Sequence, residues 1–208
     1  MRPGGLELTL RSLQTCPLPV ETRVLDLGCG LGASLNMLCS VHGWCGLGVD
    51  ISFVSLNKAR KCNPGQSWIQ STAEQPPLRD GCMDLILCEC TLSLFEVEPV
   101  LAACERMLKT GGWLLISDLY ARNEKGLDAL RQLPPGSCVS GAFSRTELSQ
   151  AIEKHDLVVM QWEDYSEVIK DFPLCTLSTS ACLDPFDLVI ASARAKLGYF
   201  SCLARKQA

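Results

Sequence analysis

Two carboxylates and three glycines are spaced so that one small ligand could touch them all. Asp26-Leu27-Gly28-Cys29-Gly30-Leu31-Gly32 continues the short apolar run that starts at Val24. Glycines lack side chains, so the backbone there can approach a ligand closely, and a helix that follows offers its first N–H groups to that ligand. Gly28, Gly30 and Ala33 also satisfy the GxGxxA dinucleotide pattern. The glycines alone say little, because several mononucleotide folds share them. Asp26 stands two residues before the first glycine. Asp50 closes the next apolar run, where a carboxylate can accept both hydroxyls of a ribose. Each acid has a plainer reading: Asp26 ordering a loop, Asp50 opening a helix. The turn and both acids together point to a nucleoside-type ligand.

The elements that must position these residues alternate. Val24–Leu27 reads as a buried strand entering the glycine turn, and Ala33–Val41 as a helix with Leu35, Leu38 and Cys39 on one face. Trp44–Val49 is a second strand, and Ser52–Lys61 a helix with Ser52 as its N-cap. Ser67–Gln70, Met83–Cys88 and Trp113–Ser117 read as further strands. Glu98–Lys109 is an amphipathic helix that Gly111-Gly112 should end. Ser144-Arg145-Thr146-Glu147 looks like a capped start for a helix to His155. Leu157–Trp162 is a sixth strand, Pro185–Leu197 a helix and Tyr199–Ala204 a last strand. Such alternation means right-handed βαβ units, a mostly parallel sheet and a single domain over residues 1–208.

Four segments taken together resemble the class I S-adenosylmethionine-dependent methyltransferases. Val24–Gly32 is similar to their first motif and Gly46–Ser52 to their second-strand acid motif. Ser71–Asp84 resembles their "DAExLPFxDxxFD" stretch, and Arg106–Leu114 their "RxLKPGGxL" segment. The likeness covers about residues 23 to 118. Its nearest look is to small enzymes of ubiquinone and menaquinone biosynthesis and to arsenite methyltransferases. One departure is Ser71, where the family usually has an acid. The resemblance implies an α/β, Rossmann-like, seven-stranded sheet with helices on both faces and the last strand antiparallel. It implies S-adenosylmethionine as cofactor, with Asp26, Gly28, Cys29 and Gly30 at its methionine end. Asp50 would hold the ribose, Ile51 would pack on the adenine, and Ala73 and Glu74 would flank the adenine edge. Cys88 and Glu89, just after the fourth strand, would face the sulfonium.

Methyl transfer is an in-line displacement in which the protein aligns the nucleophile and, for N or O acceptors, removes a proton. Glu89, Asp118 and Tyr120 follow central strands and are the candidate catalytic residues; Glu163, Asp164 and Tyr165 also fall at a strand's carboxyl end. His42 and His155 fall at the amino-end side and read as surface histidines. Leu87–Leu94, Ser117–Ala121 and Ser137–Ala142 resemble stretches of arsenite methyltransferases, which would make Cys138, with Cys175, a pair of metalloid thiolates. The plainer expectation is that most cysteines are buried, that Cys138 lies near the crevice without a thiol partner, and that Cys90 is buried and inert. Residues 1–22 form a short cap whose segment Pro3–Leu10 can lie as a small helix over the cofactor. Residues 122–143 form a lid-like insertion. Both are short, which favours a small-molecule acceptor. A nicotinamide-dependent dehydrogenase shares the turn and Asp50 but lacks any sign of a second catalytic domain. A non-enzymatic, thiol-rich metalloid sensor is the third reading.

Composition sets the outer bounds. The 208 residues are 47% hydrophobic and 20% charged, with a net charge of −4. These are globular values, and the acidic balance argues against nucleic acid as a partner. There is no apolar run of membrane-spanning length and no leader-like start. Thirteen cysteines is an odd number, many lie inside apolar runs, and none forms a CxxC pair. That reads as reduced thiols in a cytoplasmic protein, with no bound metal.

Overall fold

The computed structural model describes residues 2–170 and 184–207. Its strands are β1 (Arg23–Leu27), β2 (Cys45–Asp50), β3 (Ser67–Gln70), β4 (Met83–Glu89), β5 (Leu108–Ala121), β6 (Phe143–Ser144), β7 (Leu157–Asp164) and β8 (Leu197–Lys206). Seven of them lie side by side in the order β3-β2-β1-β4-β5-β8-β7, and the two-residue β6 pairs with β5. β8 runs antiparallel to both neighbours; the pairings among β1 to β5 are parallel. This is the Rossmann-like sheet with an antiparallel last strand that the sequence implies.

The helices are α1 (Gly5–Leu13), α2 (Ala33–His42), α3 (Phe53–Cys62), α4 (Val97–Met107), α5 (Leu127–Arg131), α6 (Arg145–Glu153) and α7 (Pro185–Ala195). Successive strand residues face opposite sides of the sheet, so two apolar layers form. Leu35 and Leu38 of α2 and Leu56 of α3 pack with Val24, Leu85, Leu87 and Leu115 on one face. Val100, Leu101 and Cys104 of α4 and Leu148 and Ile152 of α6 pack with Leu25, Leu27, Ile86 and Ile116 on the other. A third cluster joins Leu8 of α1, Leu127 and Leu130 of α5, and Leu188 and Ala191 of α7 beside Leu119 and Tyr199.

Local chemistry sets the ends of these elements. The Ser52 hydroxyl accepts from the Ser55 N–H at the start of α3. Ser144 and Glu147 form a reciprocal capping box at the start of α6. One boundary differs from the sequence reading. α4 stops at Met107, and Gly111-Gly112 lie inside β5, where the pairing with β4 slips between Met83 and Leu85. Gly111 has φ +77°, so the pair serves a bulge in the strand and does not terminate a helix. The residue after Met107 has already turned extended, with φ −68° and ψ 137° at Leu108, which is why the helix is shorter than its apolar pattern.

Candidate functional site

The glycine turn leaves β1 at the carboxyl end of the sheet. Gly28, Gly30 and Gly32 all have positive φ, between 54° and 74°, which other residues adopt only at a cost. Their surroundings separate their roles. A Cβ on Gly28 would fall 2.5 Å from the Thr91 methyl, and one on Gly32 would fall 2.1 Å from the Trp68 ring. A Cβ on Gly30 would meet nothing within 4 Å. Gly28 and Gly32 are therefore small because protein packs on them, whereas Gly30 borders open space that a ligand can fill.

Asp50 holds this turn in place. One carboxylate oxygen accepts from the Gly30 N–H at 2.7 Å and the other from the Ser52 N–H at 2.8 Å. Each oxygen keeps a lone pair for another donor. A cavity of about 380 Å³ opens beside it, lined by Gly28, Val49, Asp50, Ile51, Ser71, Thr72, Ala73, Glu74, Thr91, Leu94 and Phe95. Ile51 is exposed at the mouth and Ala73 is buried in the wall. Ser71, in place of an acid, gives its hydroxyl to the Gln75 carbonyl of its own loop. The sequence reading missed Thr91, Leu94 and Phe95, which come from the turn after β4; no periodic pattern marks that short turn.

The remaining residues expected at the methionine end divide. Asp26 is buried, and burial with Glu89 nearby pushes its pKa up to about 8, while Arg2 opposes the shift. Glu89 is buried on the same face, accepts from the Thr9 hydroxyl of α1 at 2.8 Å and stands 2.7 Å from Arg2. Cys29 and Cys88 offer no side chain to the cavity. Cys29 packs in the α2–α3 layer, and Cys88 points into the α4 layer beside Cys104. Burial pushes the Cys29 thiol up, and the hydrogen bond with Cys104 together with burial pushes the Cys88 thiol up, so neither presents a thiolate.

The three candidate catalytic residues do not share a face. Glu89 pairs in register with Ser117, so the next residue, Asp118, points to the other side of the sheet. Asp118 is fully buried and accepts from the Ser93 N–H and hydroxyl and the Leu119 N–H, at 2.8–2.9 Å. It orders the turn after β4, and burial raises its pKa to about 6. The Tyr120 ring packs edge-on against Trp162 and Phe200, and its hydroxyl interacts with Asp164 and Ser166. Glu163 receives a hydrogen bond from Tyr165. His42 stacks on Trp44 and His155 pairs with Glu98, both away from the cavity.

Among the thiols, Cys138 rests its sulfur 3.6 Å from the Cys90 carbonyl. Burial pushes it up to about 11. Cys90 is only partly buried as a residue and has φ 55°, but its thiol contacts the Tyr199 hydroxyl at 3.1 Å and is held well above its usual range by burial. Cys175 lies outside the described residues. Among the described residues no group of three or more His, Cys, Asp or Glu converges as for a metal.

Comparison with known sequences decides between nucleoside-binding folds: residues 25–116 match a family described as a methyltransferase domain. The likeness is to the class I S-adenosylmethionine-dependent methyltransferases. The chain is 30% identical over 151 residues to an arsenite methyltransferase of Aquipseudomonas alcaligenes, covering 64% of this chain and 43% of that protein. The chain spans about half the length of the curated relatives it matches. A geranyl diphosphate methyltransferase solved with S-adenosylmethionine superposes with TM-score 0.76 at 17% identity, over 97% of this chain and 84% of that one. The [4+2]-cyclase SpnF superposes with TM-score 0.74 at 18% identity, over 97% and 81%. At these identities the solved structures show a shared fold, and a cyclase among them shows that the fold does not fix the reaction.

Proposed function

We propose that this protein binds S-adenosylmethionine in the cavity beside Asp50 and transfers its methyl group to a small-molecule acceptor by in-line displacement. The observation that carries the reading is convergence. Gly28, Asp50, Ile51, Ala73 and Glu74 come from three separate segments and line one cavity of about 380 Å³. The cofactor supplies an electrophilic methyl on a cationic sulfur. Asp50 holds the ribose hydroxyls with its free lone pairs, and Gly30 leaves the space a side chain would take. Ile51 covers the adenine, with Ala73 and Glu74 at its edge. Asp26 and Glu89 supply negative charge toward the cationic end. A second cavity, about 560 Å³, shares Glu74, Leu94 and Phe95 with the first and reaches Arg131 to Gly141 of the 122–143 segment; we assign the acceptor to that side.

Titration calorimetry tests this. S-adenosylmethionine or its demethylated product should bind with micromolar affinity, and Asp50→Asn should weaken it tenfold to a hundredfold, about 1.4–2.8 kcal/mol. Absence of binding, or tighter binding of NAD, refutes the assignment.

Methylation of a trivalent metalloid is a second reading, supported by the arsenite methyltransferase relative; Cys138 itself meets the carbonyl of Cys90 and not its thiol. Transfer of label from the cofactor to arsenite, lost in Cys138→Ser, would favour it over an organic acceptor.

A further inference from the structure

The second cavity, of about 560 Å³, has a mixed wall. Leu94, Phe95, Leu133 and Pro135 give it apolar surface, and Glu74 and Glu96 give it two carboxylates. Glu74 lies on the loop after β3 and Glu96 at the start of α4. Among the described residues neither carboxylate has a hydrogen-bond or ion-pair partner. Glu96 holds the N-cap position of α4, yet its side chain makes no capping bond, so local structure gives it no other task. Arg131 is the one cation among the described residues that line the cavity. Its Nη2 is engaged by Glu147 at 2.7 Å, and Glu147 is itself fixed by the Ser144 N–H. The charge left free at this wall is therefore negative. Phe95 lines both cavities, so it stands where an acceptor meets the cofactor side. The wall is already in place: Gly141 lies so close to Ser93 that a Cβ there would fall 1.8 Å from the Ser93 carbonyl oxygen.

Free carboxylates beside an aromatic ring in a partly apolar cavity suit one chemistry. A carboxylate attracts an ammonium, and the face of an aromatic ring attracts the same cation. We propose that the methyl acceptor is an amine on an apolar or aromatic body, bound as its ammonium with Glu74 and Glu96 as counter-charges and Phe95 as its aromatic contact. The proposal rests on the methyl-transfer reading above and names the acceptor class for it. Glu96 is exposed, so the bound ammonium can pass one proton by way of that carboxylate to water. The freed nitrogen lone pair then forms the N–C bond, and the C–S bond breaks with its pair left on sulfur. A cationic sulfur and an ammonium thus become a neutral thioether, a methylated ammonium and one released proton. The two carboxylates also offset the repulsion between two cations held close together. A carboxylic acid would meet like charge at this wall, and an alcohol would leave both carboxylates without a counter-charge.

The test uses three probes that share a ring and differ in charge: benzylamine, benzyl alcohol and benzoate. Affinities are measured by ligand-observed NMR near neutral pH on the full chain saturated with S-adenosylhomocysteine. Wild type, Glu96→Gln and Glu96→Lys are compared, with thermal melting as the folding check. Benzylamine should bind about tenfold tighter than benzyl alcohol, with benzoate weakest. Glu96→Gln should weaken benzylamine about threefold and leave benzyl alcohol and S-adenosylhomocysteine unchanged. Glu96→Lys should raise benzoate to the level of benzylamine or above. Equal affinities for the three probes, no binding of any of them, or a benzylamine affinity that neither variant changes would overturn the proposal while the cofactor reading stands. If the wild type does not bind S-adenosylhomocysteine, the cofactor reading fails and this proposal fails with it.

Discussion

Asp26 shows how burial at one residue couples to ligand charge. Its pKa rises from 3.8 to about 8 because the carboxylate is desolvated and faces Glu89. The unfolded chain gives up this proton near pH 4 and the folded chain near pH 8. Between those values the folded protein holds a proton that the unfolded chain has lost, so stability falls as pH rises through that window. Asp118 acts with the same sign up to about pH 6. A cationic cofactor end favours the ionised Asp26, so binding should release a proton and tighten as pH rises from 6 to 8. Calorimetry in two buffers of different ionisation enthalpy measures that proton. Asp26→Asn should abolish the release and flatten the pH dependence of urea stability above pH 6. The glycines give a second residue-scale prediction. Gly30→Ala should weaken cofactor binding at least tenfold while costing about 1–2 kcal/mol of stability, the strain of a left-handed residue. Gly32→Ala must also displace the Trp68 ring, so it should lose more stability, read as a lower urea midpoint.

At the scale of elements, the sequence marks helix starts well because caps are local. The Ser144 hydroxyl accepts from the Glu147 N–H, and Glu147 returns the bond to the Ser144 N–H, both at 3.1 Å. Ser144→Ala should cost about 1 kcal/mol in urea unfolding and leave cofactor affinity unchanged, since α6 lies on the sheet face opposite Glu89. Strand pairing is not local. Gly111-Gly112 follow a helical pattern and read as its stop, yet they form a bulge in β5. What places them there is the pairing of Met83 with Leu108 and of Leu85 with Trp113, which depends on a partner strand that the local pattern does not contain.

For the molecule as a whole, burial sorts the thiols. Of the eleven described cysteines, six are buried, and Cys45 and Cys62 are exposed. Cys202 is fully buried, and burial pushes it up to about 12. A thiol reagent followed by peptide mass mapping should label Cys45 and Cys62 within minutes in the native state, and Cys29, Cys88 and Cys202 only after unfolding. Native labelling of Cys88 would mean that the α4 layer opens. Among the described residues no helix is long and apolar enough to cross a membrane.

Apart from α5 and the two-residue β6, the order of strands and helices, the glycine turn and its two acids, and the likeness to the methyltransferases were legible in the sequence. Each depends on residues adjacent in the chain or on period-2 and period-3.6 spacing, which local backbone geometry enforces. Tertiary structure alone decided three other matters. It separated Gly30 from Gly28 and Gly32, because Thr91 and Trp68 arrive from other elements. It put Asp118 and Tyr120 on the face opposite Glu89, because strand register sets where a residue past a strand's centre points. It brought Arg2 to Glu89, 87 positions along the chain, and a contact between two charges leaves no periodic trace in either segment.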